Sequence, residues 1–313
     1  MDNFFRDPVQ LATPFFFLLI LLEMAWIRRG GRGEYEPGDT ATSMMMGLGN
    51  LVTTIAGAFV AVAAYLWIWQ FRPFDIGFAW WAWVLCFVAE DFFYYVFHRA
   101  AHRVRWFWAS HVVHHSSQHS NLSTALRQTW TNTLSLHFIF RMPLFLVGFE
   151  PAMIIFCAGA NLVYQFWIHT ESVGKMGNLI EGVMNTPSHH RVHHATNPRY
   201  LDANYAGVFI VWDRMFASFV EETAEDPPRY GIIHNLGTFN PLRVAFHEWI
   251  AMAGDIRRAR GLRHKLLFFL APPGWTPPDW TYGSRQTTDM IKAEWRAQTS
   301  KARQRALAGE PVK

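Results

Sequence analysis

The sequence predicts an all-α fold, an integral membrane helical bundle with a cytoplasmic helical cap. Two observations lead to this prediction. Five apolar blocks occur before residue 170, and ten of the fifteen histidines fall into two short windows, residues 98–119 and 189–194, at spacings typical of helices. Arginine placement adds a third, because the arginines concentrate in loops that would lie on one side of a membrane.

The apolar blocks predict the membrane-spanning part of the chain. A helix needs about 20 mostly apolar residues to cross ~30 Å of hydrocarbon, and the blocks at 8–27, 44–68 and 78–97 are long enough. Two shorter blocks, 134–149 and 151–168, adjoin each other, so the segment at about 134–168 is either a transmembrane pair or a re-entrant hairpin. We therefore predict three spans within residues 1–98, a central region at 99–219 that contains this hairpin, and a cytoplasmic C-terminal region at 220–313.

The charged residues predict the orientation. Arg28, Arg29 and Arg32 follow the first block, and four more arginines lie in the loop after the third, whereas the turns on the other side hold only Arg72. By the positive-inside rule the N-terminus is outside, and everything after His169 faces the cytoplasm. We expect a bacterial inner membrane. The net charge of +4 is interpreted as a face against anionic lipid and not as a nucleic-acid surface.

The histidines form three clusters. His98 and His102 make an HxxxH pair, and two HxxHH triplets follow. Residues three or four apart share a helix face, so each cluster can direct two or three imidazoles at one point. Because all the clusters fall at or just beyond the cytoplasmic ends of predicted spans, we expect them to meet. The predicted metal ligands from this pattern are His98, His102, His111, His114, His115, His190, His193 and His194.

The number of imidazoles predicts a histidine-rich dimetal site in the cap. Eight nitrogens are too many for one tetrahedral zinc ion and suit two neighbouring ions of higher coordination number. Imidazole binds zinc, copper, iron and nickel, and the membrane setting and ligand number favour iron. Two iron ions can bind and reduce O2, which gives an oxidant able to attack an unactivated C–H bond. The two cysteines are too few for a disulfide framework or an iron–sulfur ligand set.

Six motifs also carry a resemblance. They are EDFFYYVFHRAAH, HVVHHSS, NLSTALRQ, YQFWIHTE, NTPSHHRVHH and NYAGVFIVWDRMF, in this order. Over residues 90–219 the chain resembles the fatty acid hydroxylase (sterol desaturase) superfamily, and among its branches it is most similar to the alkylglycerol monooxygenase group. The resemblance implies a membrane di-iron oxygenase whose catalytic region is 99–219 and whose ninth ligand is His169. Some related enzymes use a further histidine four residues earlier, where this chain has Gln165.

The predicted activity is that of a monooxygenase, which uses O2 to hydroxylate a C–H bond of a fatty acyl, alkylglycerol or sterol-like lipid. Each turnover needs two electrons, and the sequence carries no flavin, nicotinamide, haem or iron–sulfur motif. We therefore expect an external donor, either a reductase with ferredoxin or cytochrome or, as the resemblance implies, tetrahydrobiopterin. The alternatives are a lipid desaturase or sterol methyl oxidase on the same scaffold, a histidine-rich metal-binding or transport protein, and a zinc hydrolase.

Three residues near the clusters have more open roles. Asp91 lies two helical turns before His98, where a carboxylate can accept the second N–H of a ligating imidazole and fix its tautomer. His189 adjoins a predicted ligand but breaks the spacing, so we expect it beside the site or exposed. His119 lies four residues after His115 and is a further candidate ligand.

Overall fold

The structure is a computed structural model that describes residues 7–283 and 285–307, so residues 1–6 and 308–313 of the predicted terminal regions lie outside it. Within the described ranges the chain contains no β-strand, only two isolated bridges, and the predicted all-α fold is confirmed. Two 3-10 helices cover Leu122–Leu126 and His137–Arg141. The α-helices are α1 (Pro8–Arg28), α2 (Pro37–Trp69), α3 (Trp80–Arg103), α4 (Arg105–His115), α5 (Met142–Val147), α6 (Pro151–Trp167), α7 (Asn178–Val183), α8 (Pro187–His193), α9 (Val211–Met215), α10 (Pro241–Arg258), α11 (Gly261–Leu270) and α12 (Thr288–Leu307).

Among the described residues, α1 and α2 are the helices long and apolar enough to cross a membrane. Helix α1 coincides with the first predicted span. Helix α2 begins seven residues before the second, because Pro37 occupies its first turn and the Glu36 side chain accepts a hydrogen bond from the Asp39 amide. Beyond Met46 no side chain of α2 is fully buried, and many apolar ones, among them Leu48, Ile55 and Phe59, are exposed. A surface of this kind suits a lipid environment better than water.

Helix α3, the predicted third span, is the central helix of the bundle and packs against α4 and α6. It extends beyond residue 97 to Arg103, so His98 and His102 lie in its last turns. Glu90 and Asp91 are buried in the middle of α3. Because these two acids lower its mean hydropathy, α3 is not among the helices apolar enough to cross a membrane.

The hairpin predicted at about 134–168 has unequal arms. The 3-10 helix His137–Arg141 runs directly into α5, and α6 forms the second arm. The turn between them contains Gly148 with φ 107°, a conformation that favours glycine. The Ile76 amide donates to the Gly148 carbonyl at 3.2 Å. The hairpin tip therefore lies level with the turn between α2 and α3, at the end of the bundle away from the histidines.

The C-terminal region is joined to the helices that carry the histidines. Arg105, at the start of α4, is buried and pairs with Glu248 at 2.6 Å and Asp255 at 2.8 Å, both on α10. Arg103, at the end of α3, pairs with Asp289 of α12. These ion pairs hold α10 and α12 over the end of the bundle at which α3 finishes.

A buried ion pair fastens the N-terminal end of α2 to the loop after the second histidine cluster. Arg127 is 1% exposed and donates to the Asp39 carboxylate at 2.9 Å and to the hydroxyls of Ser43 and Ser116. Removal of one partner leaves the other charge buried without compensation, which typically costs about 3–5 kcal/mol. We expect Arg127→Met to lower the thermal unfolding temperature of the detergent-solubilised protein markedly.

The matched control is Gln128→Met, because Gln128 is the exposed neighbour of Arg127. This variant should unfold at the temperature of the unsubstituted protein. If Arg127→Met also did so, the ion pair would not be a stabilising feature of the fold.

Candidate metal centre

The nine histidines predicted as ligands converge on two adjacent groups, and all nine are buried. Within each group the potential ligand atoms lie within 4.8 Å of one another. The groups touch, since the ring centroids of His115 and His194 are 4.4 Å apart. The first group is His98, His102, His111, His115 and His193, and the second is His114, His169, His190 and His194.

Each HxxHH triplet divides between the two groups. In α4 the first and last histidines, His111 and His115, enter the first group, while His114 enters the second. The triplet at 190–194 does the reverse, because His190 and His194 enter the second group and His193 the first. Residues four apart point in nearly the same direction and the residue three along is rotated away from them, so a single helix contributes to both groups.

The separations between ring nitrogens match those of ligands on a shared metal ion. Histidine nitrogens bind such ions at about 2.0–2.1 Å, so two ligands at right angles lie about 3.0 Å apart. In the first group, Nε2 of His111 is 2.9 Å from Nε2 of His98 and 3.2 Å from that of His115. In the second, Nε2 of His190 is 2.8 Å from Nε2 of His169 and 3.0 Å from that of His194.

Backbone carbonyls determine which ring nitrogen carries the proton. Nδ1 of His98 lies 2.7 Å from the Tyr205 carbonyl, and Nδ1 of His193 lies 2.9 Å from the Ala203 carbonyl. Nδ1 of His169 and of His114 similarly face the carbonyls of Gln165 at 2.7 Å and Arg127 at 3.3 Å. A carbonyl only accepts, so Nδ1 must donate and Nε2 keeps a free lone pair.

The consequence is clearest between His114 and His169. Their Nε2 atoms are 3.1 Å apart, and both lone pairs point into the gap because both Nδ1 atoms carry the proton. Two facing lone pairs repel unless a cation lies between them. Nε2 of His102 and of His193 are likewise buried and without a hydrogen-bond partner in the described part of the chain.

The ionisation of the histidines agrees with this arrangement. Six histidines in α4, in α8 and at the C-terminal cap of α8 have a pKa well below the usual 6.5. The main cause is burial, and repulsion among neighbouring imidazoles adds to it. Neutral imidazole is the form that binds metal. The donor chemistry, the nitrogen spacing and the unpartnered nitrogens therefore all fit a pair of metal ions. The six histidines with the lowered pKa are His111, His114, His115, His190, His193 and His194.

Asp91 has different partners from those predicted. Its carboxylate accepts hydrogen bonds from the Val208 amide at 2.7 Å, the Phe209 amide at 3.0 Å and the Trp212 indole at 2.8 Å. It thus positions backbone near the carbonyl that anchors His98, and does not hold an imidazole directly. The sequence spacing indicated a shared helix face but not which element would pack against it.

The two remaining histidines of the windows 98–119 and 189–194 lie outside the groups. Nδ1 of His119 is 3.6 Å from a carboxylate oxygen of Glu34, and Nε2 of His189 is 2.8 Å from one of Glu181. His189 is buried and directly precedes His190 in the chain, so the second of its two expected positions, exposure to solvent, is wrong. Neither residue places a nitrogen among the converging ligand atoms.

Comparison with known proteins identifies the region that carries these residues. Residues 83–218 match the family model described as fatty acid hydroxylase, and this segment contains all nine histidines. This segment is thus similar to the fatty acid hydroxylase family, as its motifs indicated. No solved structure matches the chain significantly.

Curated relatives match residues 83–218 and much of the flanking chain. Alkylglycerol monooxygenase from Danio rerio is 42% identical over 276 residues, which are 86% of this chain and 60% of that protein. The Homo sapiens protein of the same name is 40% identical over 280 residues, 87% of this chain and 60% of the relative. The Xenopus tropicalis protein of that name is 38% identical over 295 residues, which are 92% of this chain and 64% of the relative. The chain thus spans somewhat less than two thirds of the length of these relatives.

A cavity of about 310 Å³ reaches the histidine groups from the C-terminal side. His102, His115 and His193 of the first group and His194 of the second line its inner end. Its outer walls come from beyond the matched domain and include Ile232 and residues of α10, the 273–274 turn and the 285–288 segment. These walls could not be predicted from the sequence, because they come from segments far apart in the chain.

Asp202 is a residue of the matched segment that the sequence reasoning missed. Its carboxylate lies 3.5 Å from Nδ1 of His102 and 3.0 Å from Arg103, and its side chain is 6% exposed. Its backbone has a left-handed φ of 51°. Strained backbone of this kind persists where surrounding contacts hold it. Asp202 lies eight residues after His194 in irregular structure, where no helical spacing could relate it to His102.

The division into two groups predicts which substitutions remove which ion. We expect His190→Ala to lower the metal content of the purified protein from two ions to one, because His190 contributes only to the second group. Metal per chain, measured by inductively coupled plasma mass spectrometry, tests this. His119→Ala should retain both ions. Full metal content in His190→Ala would remove His190 from the ligand set.

The position of Asp202 predicts an effect on the first group alone. We expect Asp202→Asn to weaken binding of one ion by about 10–100-fold, the usual result of removing a carboxylate that orients a ligating histidine. Chelator competition measures this. Asp289→Asn is the matched control, since Asp289 pairs with the same arginine but is exposed. Equal metal retention in the two variants would show that Asp202 does not orient His102.

Proposed function

We propose that the chain is a membrane di-iron monooxygenase that hydroxylates a C–H bond of a lipid with O2 and two external electrons. The observation that carries the proposal is the pair of buried imidazole groups, with facing lone pairs, inside a fatty acid hydroxylase domain. The substrate class to test first is an alkylglycerol lipid, after the named activity of the relatives. Fatty acyl and sterol-like lipids come next, since a cholesterol 25-hydroxylase-like protein from Danio rerio is 29% identical over 147 residues.

The residues of the chain have three roles in this proposal. The nine histidines would hold the ions, and bound iron would supply the activation of O2. The carbonyls of Ala203 and Tyr205 keep two of the imidazoles in the tautomer that binds metal. The cavity admits the lipid so that its target carbon lies beside His102 and His193, and burial of the site keeps bulk water from the oxidant.

The overall reaction requires an electron donor. One oxygen atom of O2 enters the C–H bond and the other leaves as water, which consumes two electrons and two protons. We propose that the electrons come from outside the chain, either from a reductase with ferredoxin or cytochrome or from reduced pterin. Oxygen uptake with each donor in turn distinguishes the two.

The alternatives fit the geometry less well. A desaturase or sterol methyl oxidase would use the same ligands and would differ in where the lipid carbon lies, so only product analysis separates it from a hydroxylase. A transporter would need polar ligands in broken helices near the middle of the bundle, whereas these histidines lie at one end. A zinc hydrolase needs three protein ligands and an open position, and these groups contain five and four histidines.

We propose the topology predicted from arginine placement for the molecule in the cell, with the cap and the metal centre on the cytoplasmic side of the membrane. The proposed regions are spans within 1–98, a catalytic region at 99–219 with its hairpin, and a C-terminal region at 220–313. The apolar faces of α1 and α2 support membrane insertion. The named relatives are animal proteins, and they give no support to a bacterial inner membrane.

The central test is metal content together with oxygen use. We expect the protein purified in detergent to contain iron, and to consume O2 when a reductant and an alkylglycerol are added. His193→Ala should abolish this uptake while the protein still inserts into membranes, because insertion depends on other residues. An active preparation that contains only zinc would overturn the proposal.

The cavity predicts a second variant. We expect Ile232→Trp to reduce lipid-dependent oxygen uptake strongly at unchanged metal content, because the larger side chain fills part of the cavity that reaches the histidines. Ile180→Trp is the matched control, since Ile180 is an exposed residue of α7 that does not line the cavity. Unchanged uptake in Ile232→Trp would exclude this cavity as the lipid's route.

A further inference from the structure

Helices α10 and α11 each carry an apolar strip that is largely uncovered in the described part of the chain. On α10 the strip contains Leu242, Phe246 and Ile250, spaced four apart. Leu242 and Ile250 are 61% and 69% exposed, whereas Phe246 is half-buried against the cluster that contains Met46. On α11 it contains Leu262 and Leu266, and Leu262 is 72% exposed. The opposite faces of both helices are packed against the protein. Each helix is therefore amphipathic, with its apolar strip directed away from the core.

The two strips are joined by aromatic rings. Trp106 of α4 contacts Trp249 of α10, with ring centroids 4.9 Å apart, and Phe269 of α11, with centroids 5.4 Å apart. Trp249 lies next to the α10 strip and Phe269 next to the α11 strip on their helices. Since both rings meet the same tryptophan, the strips lie on one side of the cap and form a single surface, here called the α10–α11 face.

This face continues onto the apolar surface of α2. Phe246 meets Trp130 with ring centroids 6.3 Å apart, and the Trp130 indole donates to the Met46 carbonyl of α2 at 3.0 Å. The buried residues of α2 all lie in its first ten positions, up to Met46. Helix α2 is about 50 Å long by its rise per residue, against ~30 Å of hydrocarbon. The bilayer boundary thus falls near Met46, at the level of Trp130 and the α10–α11 face.

The charges around the face indicate the kind of lipid. Six basic side chains of the two helices and the turn between them are exposed. The only two acids in residues 241–270 are Glu248 and Asp255, both paired with Arg105. The uncompensated charge next to the apolar strips is therefore positive. The six are Arg243, Arg257, Arg258, Arg260, Arg263 and Lys265.

We propose that the α10–α11 face lies in the headgroup region of the bilayer and binds anionic lipids. A helix with an apolar strip flanked by lysine and arginine lies in the plane of a membrane surface. Aromatic rings are enriched at that depth, and anionic headgroups attract the basic residues beside it. This inference concerns membrane contact and holds whatever reaction the metal centre performs.

The test measures the depth of spin labels on the full-length protein in lipid nanodiscs. Ile250→Cys and Leu266→Cys place the label on the face, and Glu225→Cys places it on an exposed loop outside it. Cys86 and Cys157 are buried, and the unsubstituted protein gives the labelling blank. In discs that contain phosphatidylserine, we expect the labels at 250 and 266 to collide mainly with lipid-soluble O2. The label at 225 should collide mainly with a water-soluble nickel chelate.

A separate experiment tests the contribution of the basic residues. The combined substitution of Arg257, Arg258, Arg260 and Arg263 by Gln should shift the labels at 250 and 266 toward the water-soluble reagent. Discs of phosphatidylcholine alone should cause the same shift with the arginines in place. Water-like accessibility at 250 and 266 in phosphatidylserine would overturn the proposal. Dipolar broadening between labels on two molecules would also overturn it, because a second copy of the chain would then cover the face.

Discussion

The facing imidazole lone pairs are the constraint on which the rest of the site depends. Backbone carbonyls fix the proton of His114 and of His169 on Nδ1, so no proton is available for the 3.1 Å gap between their Nε2 atoms. In water such rings would turn away or take up a proton. Here burial opposes protonation and packing opposes rotation. A positive ion between the nitrogens removes the repulsion, which explains how so many polar atoms can be concentrated in a buried site.

Buried carboxylates maintain this arrangement by acting on the backbone. Asp213 accepts hydrogen bonds from the amides of Tyr205 and Ala206 at 2.8 Å each. Asp91 accepts from Val208 and Phe209 on the following turn. Together they clamp a segment without regular secondary structure whose carbonyls anchor His98 and His193. A loop bearing anchors for two ligands would otherwise be mobile, so the acids supply the rigidity that a helix supplies elsewhere in the site.

The sequence predicted which residues belong to the site better than it predicted which of them contact one another. The spacing of three or four residues correctly indicated that His111, His114 and His115 share one side of a helix. It could not indicate that His114 serves the other group, because that depends on where α8 packs. His169 was implied only by the resemblance, since a lone histidine has no spacing to interpret. Asp202 and the cavity walls were missed because their contacts join segments that sequence periodicity cannot relate. Helices α1 and α2, by contrast, could be predicted from local composition alone.

Helix α10 connects the proposed membrane contact to the cavity. Its residues His247 and Glu248 line the cavity, while Phe246 and Ile250 belong to the apolar strip on another side of the same helix. A helix with its side chains is about 10–12 Å across, so this single layer separates the proposed headgroup region from the space that reaches the histidines. A lipid chain is far longer than that distance. In the proposed reaction a lipid can therefore keep one end among the headgroups while its target carbon lies in the cavity, so the substrate never needs to leave the bilayer entirely.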